Sequence, residues 1–127
     1  MADKTKVLVV EDEHMLADMY STKLTMDGFD VTKANDGAEG LEKAKQAHPE
    51  IILLDVIMPK MDGFAVLKEL RADASFAKTP VLLLTNLGQD DDIKKGKDLG
   101  ADDYFVKANH TPADVVLKVK ELLAKKK

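Results

Sequence analysis

Cysteine is absent from this sequence of 127 residues, and arginine occurs once, at Arg71. Without cysteine the chain has no disulfide framework, no thiolate metal site and no cysteine nucleophile. The formal net charge of -4 argues against nonspecific binding to nucleic acid, because such binding depends on neutralising phosphates with many lysines and arginines. The composition therefore excludes thiol chemistry, and we expect no nucleic-acid partner.

Long apolar runs and a secretory signal are also absent. No apolar stretch approaches the ~20 residues that a membrane helix requires. The residues from Met1 to Lys6 lead directly into an apolar run, without a signal-peptide core or a small-residue cleavage site. We therefore expect a cytoplasmic protein that does not insert into membranes.

Short apolar runs predict the strands of a parallel sheet. Continuous runs of this length, rich in Val, Ile and Leu, are typical of strands that are buried on both faces. A further run is more polar, as an edge strand would be. The predicted strands are Val7–Val10, Ile51–Leu54, Val81–Leu84, Tyr104–Val106 and, at the edge, Phe29–Thr32.

Apolar residues at helical spacing lie between these runs and predict crossover helices. Three stripes stand out: Leu16, Met19, Tyr20 and Leu24; Phe64, Leu67 and Leu70; and Val115, Val116, Val119, Leu122 and Leu123. Asp36, Asp62 and Thr111 occupy positions where helix N-caps are expected.

The alternation of five strands and five helices predicts a three-layer α/β domain with a parallel sheet. We find no internal repeat and no linker, so residues 1–127 are predicted to form a single domain. Only Lys125 to Lys127 follow the last predicted helix, and we therefore expect no output domain.

Polar residues follow the four apolar strands where each strand ends. Glu11-Asp12-Glu13 follow the first strand, Asp55 the third, Thr85 the fourth and Lys107 the fifth. Ligands of doubly wound sheets bind at the carboxyl ends of the strands. If the strand order is 2-1-3-4-5, the first and third strands are neighbours and their carboxylates meet. Carboxylates that close repel one another unless a cation lies between them, and all-oxygen ligands are suited to Mg²⁺.

These residues also indicate a phosphoryl chemistry. A carboxylate is an adequate nucleophile for phosphoryl transfer once positioning and charge neutralisation are supplied, which makes Asp55 the candidate nucleophile. Lys107 could extend back to a phosphoryl oxygen, and Thr85 could donate a hydroxyl hydrogen bond to another.

Four segments together form a specific pattern: Val7–Glu13 (VLVVEDE), Asp55–Gly63 (DVIMPKMDG), Thr85, and Tyr104–Lys107 (YFVK). The chain closely resembles, over nearly its full length, the receiver domain of two-component response regulators, the CheY-like family. The resemblance implies a flavodoxin-like (βα)5 fold, a doubly wound parallel sheet with strand order 2-1-3-4-5.

The resemblance also implies roles for individual residues. Glu11 and Asp12 would be metal-binding acids, Asp55 the phosphoacceptor and a ligand of Mg²⁺, and the backbone carbonyl of Ile57 a further metal ligand. The residues that contact the phosphoryl group and switch conformation would be Thr85, Lys107 and Tyr104.

By the same resemblance, the donor would be a phosphohistidine on a histidine kinase or a histidine phosphotransfer protein. A downstream protein target, which the sequence does not identify, would read the signal. Self-catalysed phosphoryl transfer and autodephosphorylation are the only catalysis expected, so the chain is not predicted to be an enzyme.

The chain departs from the family pattern in two loops. Ala108 follows Lys107 where the family usually has proline, and Asn86 follows Thr85 where it usually has a small residue. Ile57 and Leu87 are both apolar and resemble the variable pair beside the water that hydrolyses the acyl phosphate. We hypothesise slow autodephosphorylation, because no polar side chain of this pair orients that water.

Other functions fit the pattern less well. An aspartate-nucleophile phosphohydrolase would place a second Asp two residues after its nucleophile, where this chain has Ile57. A mononucleotide- or flavin-binding module needs a loop rich in Gly, Ser or Thr after the first strand, whereas Glu11-Asp12-Glu13 would repel phosphate. A receiver that binds partners without phosphorylation stays an alternative, given Asn86 and Ala108.

Overall fold

A computed structural model describes residues 4–56, 58, 61–85, 90–107 and 111–125 of the chain. Strands and helices alternate along it, as the apolar pattern predicts. The elements are β1 (Lys6–Val10), α1 (His14–Met26), β2 (Asp30–Ala34), α2 (Gly37–Ala47), β3 (Ile51–Asp55), α3 (Gly63–Ala72), a short 3-10 helix (Ala74–Phe76), β4 (Val81–Thr85), α4 (Asp90–Asp98), β5 (Asp103–Val106) and α5 (Pro112–Lys125).

The five strands form one sheet in the order β2-β1-β3-β4-β5, and all neighbours are parallel. The predicted flavodoxin-like α/β fold and its strand order are confirmed. Every residue of β3 and β4 is buried, because both strands lie inside the sheet with helices over both faces. Strand β2 is more exposed, as expected at an edge.

Two hydrophobic clusters lie on opposite faces of the sheet. Successive strand side chains point to opposite faces, so Leu8 and Leu54 belong to one cluster while Val9 and Leu53 belong to the other. The first cluster packs against α2 and α3, and the second against α1 and α5. The stripes predicted for α3 and α5 supply most of the helical contacts, for example Leu67 and Val119.

Helix ends agree with the predicted caps. The carboxylates of Asp36 and Asp62 accept hydrogen bonds from the backbone N–H groups of Glu39 (2.8 Å) and Ala65 (2.9 Å), respectively. At the start of α5 the donor and acceptor are exchanged, because the backbone N–H of Thr111 donates to the Asp114 carboxylate at 2.9 Å. These bonds satisfy polar groups at the helix amino termini.

Two details of the prediction are wrong. Strand β2 covers Asp30–Ala34 rather than Phe29–Thr32, because Phe29 is a buried residue that precedes the strand. Met19 is 43% exposed, since α1 instead turns Ala17, Tyr20 and Leu24 toward the sheet. Within the described ranges, we find no helix of the length and apolarity needed to cross a membrane.

Arg71 ties several segments together at the amino-terminal end of the sheet. Its guanidinium donates to the carbonyl oxygens of Phe76 (2.8 Å), Thr79 (2.7 Å) and Gly100 (3.0 and 2.8 Å), and to the Asp102 carboxylate (2.8 Å). The same Asp102 oxygen accepts the backbone N–H of Val81 at 3.0 Å. The end of α3 is thereby fixed to the loops that lead into β4 and β5.

Candidate metal centre

The sheet brings the polar residues at the strand ends to one edge. Glu11 directly follows β1, while Asp55 and Thr85 are the last residues of β3 and β4. Lys107 directly follows β5, next to Val106, which pairs with Thr85. Since the four strands are parallel neighbours, all four side chains lie at the carboxyl edge where ligands of such sheets bind.

Three carboxylates form a cluster at this edge. Glu11, Asp12 and Asp55 each offer one oxygen atom, and these atoms lie within 4.8 Å of one another. Glu11 is 0% exposed and Asp55 is 4% exposed. Packing three acids this closely is unfavourable unless protons or cations reduce their charge.

Lys107 supplies one positive charge to the cluster. Its Nζ lies 2.9 Å from Oε1 of Glu11 and 3.4 Å from Oδ1 of Asp55, and its side chain is only 6% exposed. Burial alone lowers the pKa of Lys107, but the hydrogen bond to Glu11 and the charges of Asp55 and Glu11 outweigh burial and raise it. Lys107 is therefore charged at neutral pH and neutralises part of the cluster.

The crowding of these acids chiefly changes the protonation of Asp55. Burial and then the hydrogen bond and charge of Glu11 raise the pKa of Asp55 from 3.8 to about 8, with Asp12 adding to the shift and Lys107 opposing it. At neutral pH, without a further cation, the Asp55 carboxyl group is therefore mostly protonated. A second positive charge at this position would restore the carboxylate.

The negative charges of these acids also affect Tyr20 in helix α1. Tyr20 is buried in the second hydrophobic cluster, and its pKa is raised first by burial and then by the charges of Glu11, Asp55 and Glu13. Side chains of a helix lean toward its amino terminus, which places the Tyr20 ring on the side of the acidic cluster. Its helical spacing predicts a core residue, and the structure confirms that placement.

Helix α3 begins close against the end of β3 because its first residue is Gly63. The backbone N–H of Gly63 donates to the carbonyl of Val56 at 2.8 Å. A Cβ atom at position 63 would lie only 2.2 Å from the carbonyl oxygen of Asp55, so a side chain there would push this segment away. The Asp62-Gly63 pair therefore holds the backbone that carries Asp55, by capping α3 and by allowing this close approach.

The other predicted site residues are placed as follows. Thr85 is 5% exposed at the end of β4, and Tyr104 is half-buried in β5 against the first hydrophobic cluster. Ile57, proposed from the resemblance as a carbonyl ligand, lies outside the described residues. So do Asn86, Leu87, Ala108 and the Lys107–Ala108 peptide bond.

The site suits a hard divalent cation. Its donors are carboxylate oxygens, with no nitrogen or sulfur atom among the clustered ligands of the described residues. Such oxygen sites with one or two carboxylates and room for water are typical of Mg²⁺.

The pairing of Lys107 with Glu11 is a contact that the sequence did not indicate, because strand position does not define where a long flexible side chain ends.

Comparison with known proteins gives a family match over most of the chain. A family model described as the response regulator receiver domain matches residues 7–120. Chemotaxis protein CheY4 of Vibrio cholerae has the same fold, with a TM-score of 0.89 and 34% identity over 94% of this chain and 98% of CheY4. The receiver domain of Francisella response regulator 1452 gives a TM-score of 0.88 at 31% identity and covers 98% of this chain and 100% of that domain.

Longer proteins also match. The DNA-binding dual master transcriptional regulator RpaA of Synechocystis sp. is 43% identical over 120 residues, which are 94% of this chain and 46% of RpaA. The alkaline phosphatase synthesis transcriptional regulatory protein PhoP of Bacillus subtilis is 41% identical over 93% of this chain and 48% of PhoP. The chain thus spans about half the length of these relatives. Because RpaA is DNA-binding by name, the expectation that no nucleic acid is involved is not supported.

Proposed function

The chain belongs to the family of response regulator receiver domains, which act in two-component signalling, and we propose that Asp55 is the residue that accepts the phosphoryl group. The observation that carries this proposal is the position of Asp55, buried at the end of β3 between two further acids and Lys107. The Asp55 carboxyl group contacts Lys107 at 3.4 Å and interacts with Glu11 and Asp12.

In the proposed reaction an Asp55 carboxylate oxygen attacks the phosphorus atom of a phosphohistidine. The bond between phosphorus and the imidazole nitrogen breaks as the acyl phosphate forms, and the imidazole takes up a proton from solvent. Lys107 neutralises one phosphoryl oxygen, and the Thr85 hydroxyl group donates a hydrogen bond to another. Positioning and charge neutralisation are the main catalytic contributions in such a transfer.

Glu11, Asp12 and Asp55 would hold Mg²⁺, with the backbone carbonyl of Ile57 as a further ligand. When bound, the ion lowers the pKa of the Asp55 carboxyl group and neutralises charge on the incoming phosphoryl group. This assignment is supported by the all-oxygen donor set and by the 4.8 Å limit on the separations among the carboxylate oxygens.

Response regulators work with histidine kinases, so the proposed donor is a histidine kinase or a histidine phosphotransfer protein. Catalysis by the chain itself is limited in this proposal to its own phosphorylation and dephosphorylation. Tyr104 is the proposed residue whose side chain changes orientation for the downstream partner. DNA binding, as in the name of RpaA, would belong to the part of such relatives that lies outside the match.

Intact-mass spectrometry after incubation with acetyl phosphate tests the phosphoacceptor. We expect an adduct of about 80 Da that requires Mg²⁺ and is absent from Asp55→Asn, as phosphorylation of one Asp demands. Asp30→Asn, which changes an exposed acid of β2, is the matched control and should be phosphorylated like the wild type.

Two outcomes would refute the assignment. An adduct of the same size on Asp55→Asn would place the phosphoryl group elsewhere. No adduct on the wild type with Mg²⁺ bound would favour a receiver that binds its partners without phosphorylation.

A further inference from the structure

Helix α4 contacts the sheet at Gly96, which has no side chain. Gly96 is buried, and a Cβ atom there would be 2.3 Å from Cδ1 of Leu83 in β4. Among the described side-chain positions of α4, 92–98, this is the one that is buried. Because the one buried position among them carries no side chain, core packing at the described positions of α4 holds the helix only weakly.

The lysines on either side of Gly96 reach aromatic rings on the neighbouring elements. Nζ of Lys95 lies 4.6 Å from the ring centroid of Phe64 in α3. Nζ of Lys97 lies 5.5 Å from the ring centroid of Tyr104 in β5. An ammonium group over an aromatic face is attracted by the ring quadrupole, so these two contacts bridge α4 to its neighbours on both sides.

The contact between Lys97 and Tyr104 lies close to the proposed phosphoryl site. Tyr104 pairs with Leu83 in the register of β4 and β5, and Leu83 is the residue under Gly96. Thr85 lies two residues further along β4. A conformational change at Thr85 would therefore occur only two residues along β4 from Leu83, the residue that contacts Gly96 and pairs with Tyr104.

We infer that Lys97 is a positioning residue that couples the location of helix α4 to the orientation of the Tyr104 side chain. The ammonium group favours the arrangement in which the ring lies beneath it. A movement of α4 or of the ring that takes Nζ beyond about 6 Å from the ring centroid removes the contact. This inference rests on the proposed function, in which phosphorylation of Asp55 alters the surroundings of Thr85 and Tyr104. An exposed cation–π contact is expected to shift the balance between two ring orientations by about two- to fivefold.

Fluorine NMR of the full chain can follow this ring directly. The sequence has two tyrosines, so Tyr20→Phe leaves Tyr104 as the single site for 3-fluorotyrosine. Lys97→Met removes the charge but keeps an unbranched side chain, and Lys97→Arg restores the charge. Lys95→Met is the matched control, because it removes the same charge from the same helix, over Phe64 instead of Tyr104.

Spectra are recorded without Mg²⁺ and then with Mg²⁺ and beryllofluoride, a stable mimic of an aspartyl phosphate. We expect the resting Tyr104 resonance of Lys97→Met to move toward its beryllofluoride position, while Lys97→Arg and Lys95→Met stay near the unsubstituted background. Identical resting resonances in Lys97→Met and the background would overturn the inference, as would an equal shift in Lys95→Met.

The two proposals fail in different ways in this experiment. If the background responds to beryllofluoride and Lys97→Met matches it in both states, the role of Lys97 is wrong and the proposed function stands. If the background does not respond and no phosphoryl adduct forms, the proposed function is wrong. If, in that case, the Tyr104 resonance without beryllofluoride is shifted in Lys97→Met and in neither Lys97→Arg nor Lys95→Met, the contact between Lys97 and Tyr104 is still supported.

Discussion

Replacing Asp55 by Asn should stabilise the metal-free protein, and the gain should grow with pH. The pKa of Asp55 is raised from 3.8 to about 8 in the folded protein, chiefly by burial and by Glu11. A raised folded-state pKa means that the protonated group stabilises the fold, fully below the unfolded value of 3.8. This stabilisation is lost as the pH rises from 3.8 through about 8. Asn keeps the shape of the protonated group and cannot ionise.

The size of the effect follows from linkage. Each pKa unit between the unfolded value and the working pH corresponds to about 1.4 kcal/mol of free energy. At pH 7 the difference from 3.8 therefore corresponds to a cost on the order of 4 kcal/mol for Asp55. Asp55→Asn should remove most of this cost at pH 7 and almost none of it near pH 4.

Urea unfolding in the presence of a chelator measures this difference. With a urea slope of about 1 to 3 kcal/mol per molar, the unfolding midpoint of Asp55→Asn should rise by roughly 2 M relative to wild type at neutral pH. The control is Asp30→Asn, which changes an exposed acid and should leave the midpoint almost unchanged. A gain for Asp55→Asn that is the same at about pH 5 and about pH 8, or a loss of stability at both, would refute the reasoning.

Three further substitutions test the contacts around the site. Lys107→Met removes a positive charge that lies 2.9 Å from Glu11 and 3.4 Å from Asp55. Because this charge repels a cation at the acidic cluster, titration calorimetry should show Mg²⁺ binding at least about fivefold tighter. Unchanged or weaker binding would contradict this prediction. Gly63→Ala places a Cβ 2.2 Å from the Asp55 carbonyl, and thermal unfolding should show a loss of about 1 to 3 kcal/mol, together with slower phosphorylation by acetyl phosphate. Arg71→Lys cannot maintain contacts with three carbonyl groups and Asp102, so chemical denaturation should show a loss of about 2 to 4 kcal/mol; a loss below about 0.5 kcal/mol would show that the guanidinium contacts contribute little.

The strands were predictable because burial on both faces of a sheet requires continuous apolar runs, as in Ile51–Leu54. The same reasoning was less accurate for β2, whose edge position allows polar residues such as Asp30 and leaves its ends undefined. Met19 was misplaced because several overlapping stripes satisfy helical spacing in α1, and packing on the sheet selects one of them.

The candidate site was predictable only as a set of strand ends. Parallel topology brings Glu11, Asp55 and Lys107 to one edge whatever their side-chain conformations. Their contacts depend on features that leave no sequence pattern. Most of the acceptors of Arg71 are backbone carbonyls, and the contact between Lys97 and Tyr104 joins residues whose spacing belongs to no common helix or strand.

Lys107 links the resting site to the proposed phosphorylated one. Its ammonium group contacts Glu11 at 2.9 Å and Asp55 at 3.4 Å, and it partly balances the negative charge of the acidic cluster. A divalent cation bound by Glu11, Asp12 and Asp55 would neutralise the charge of these acids, and this would weaken the attraction between Glu11 and Lys107. In the proposed function, Lys107 would then be available for a phosphoryl oxygen on Asp55, so that metal binding and phosphoryl capture would be coupled through one side chain.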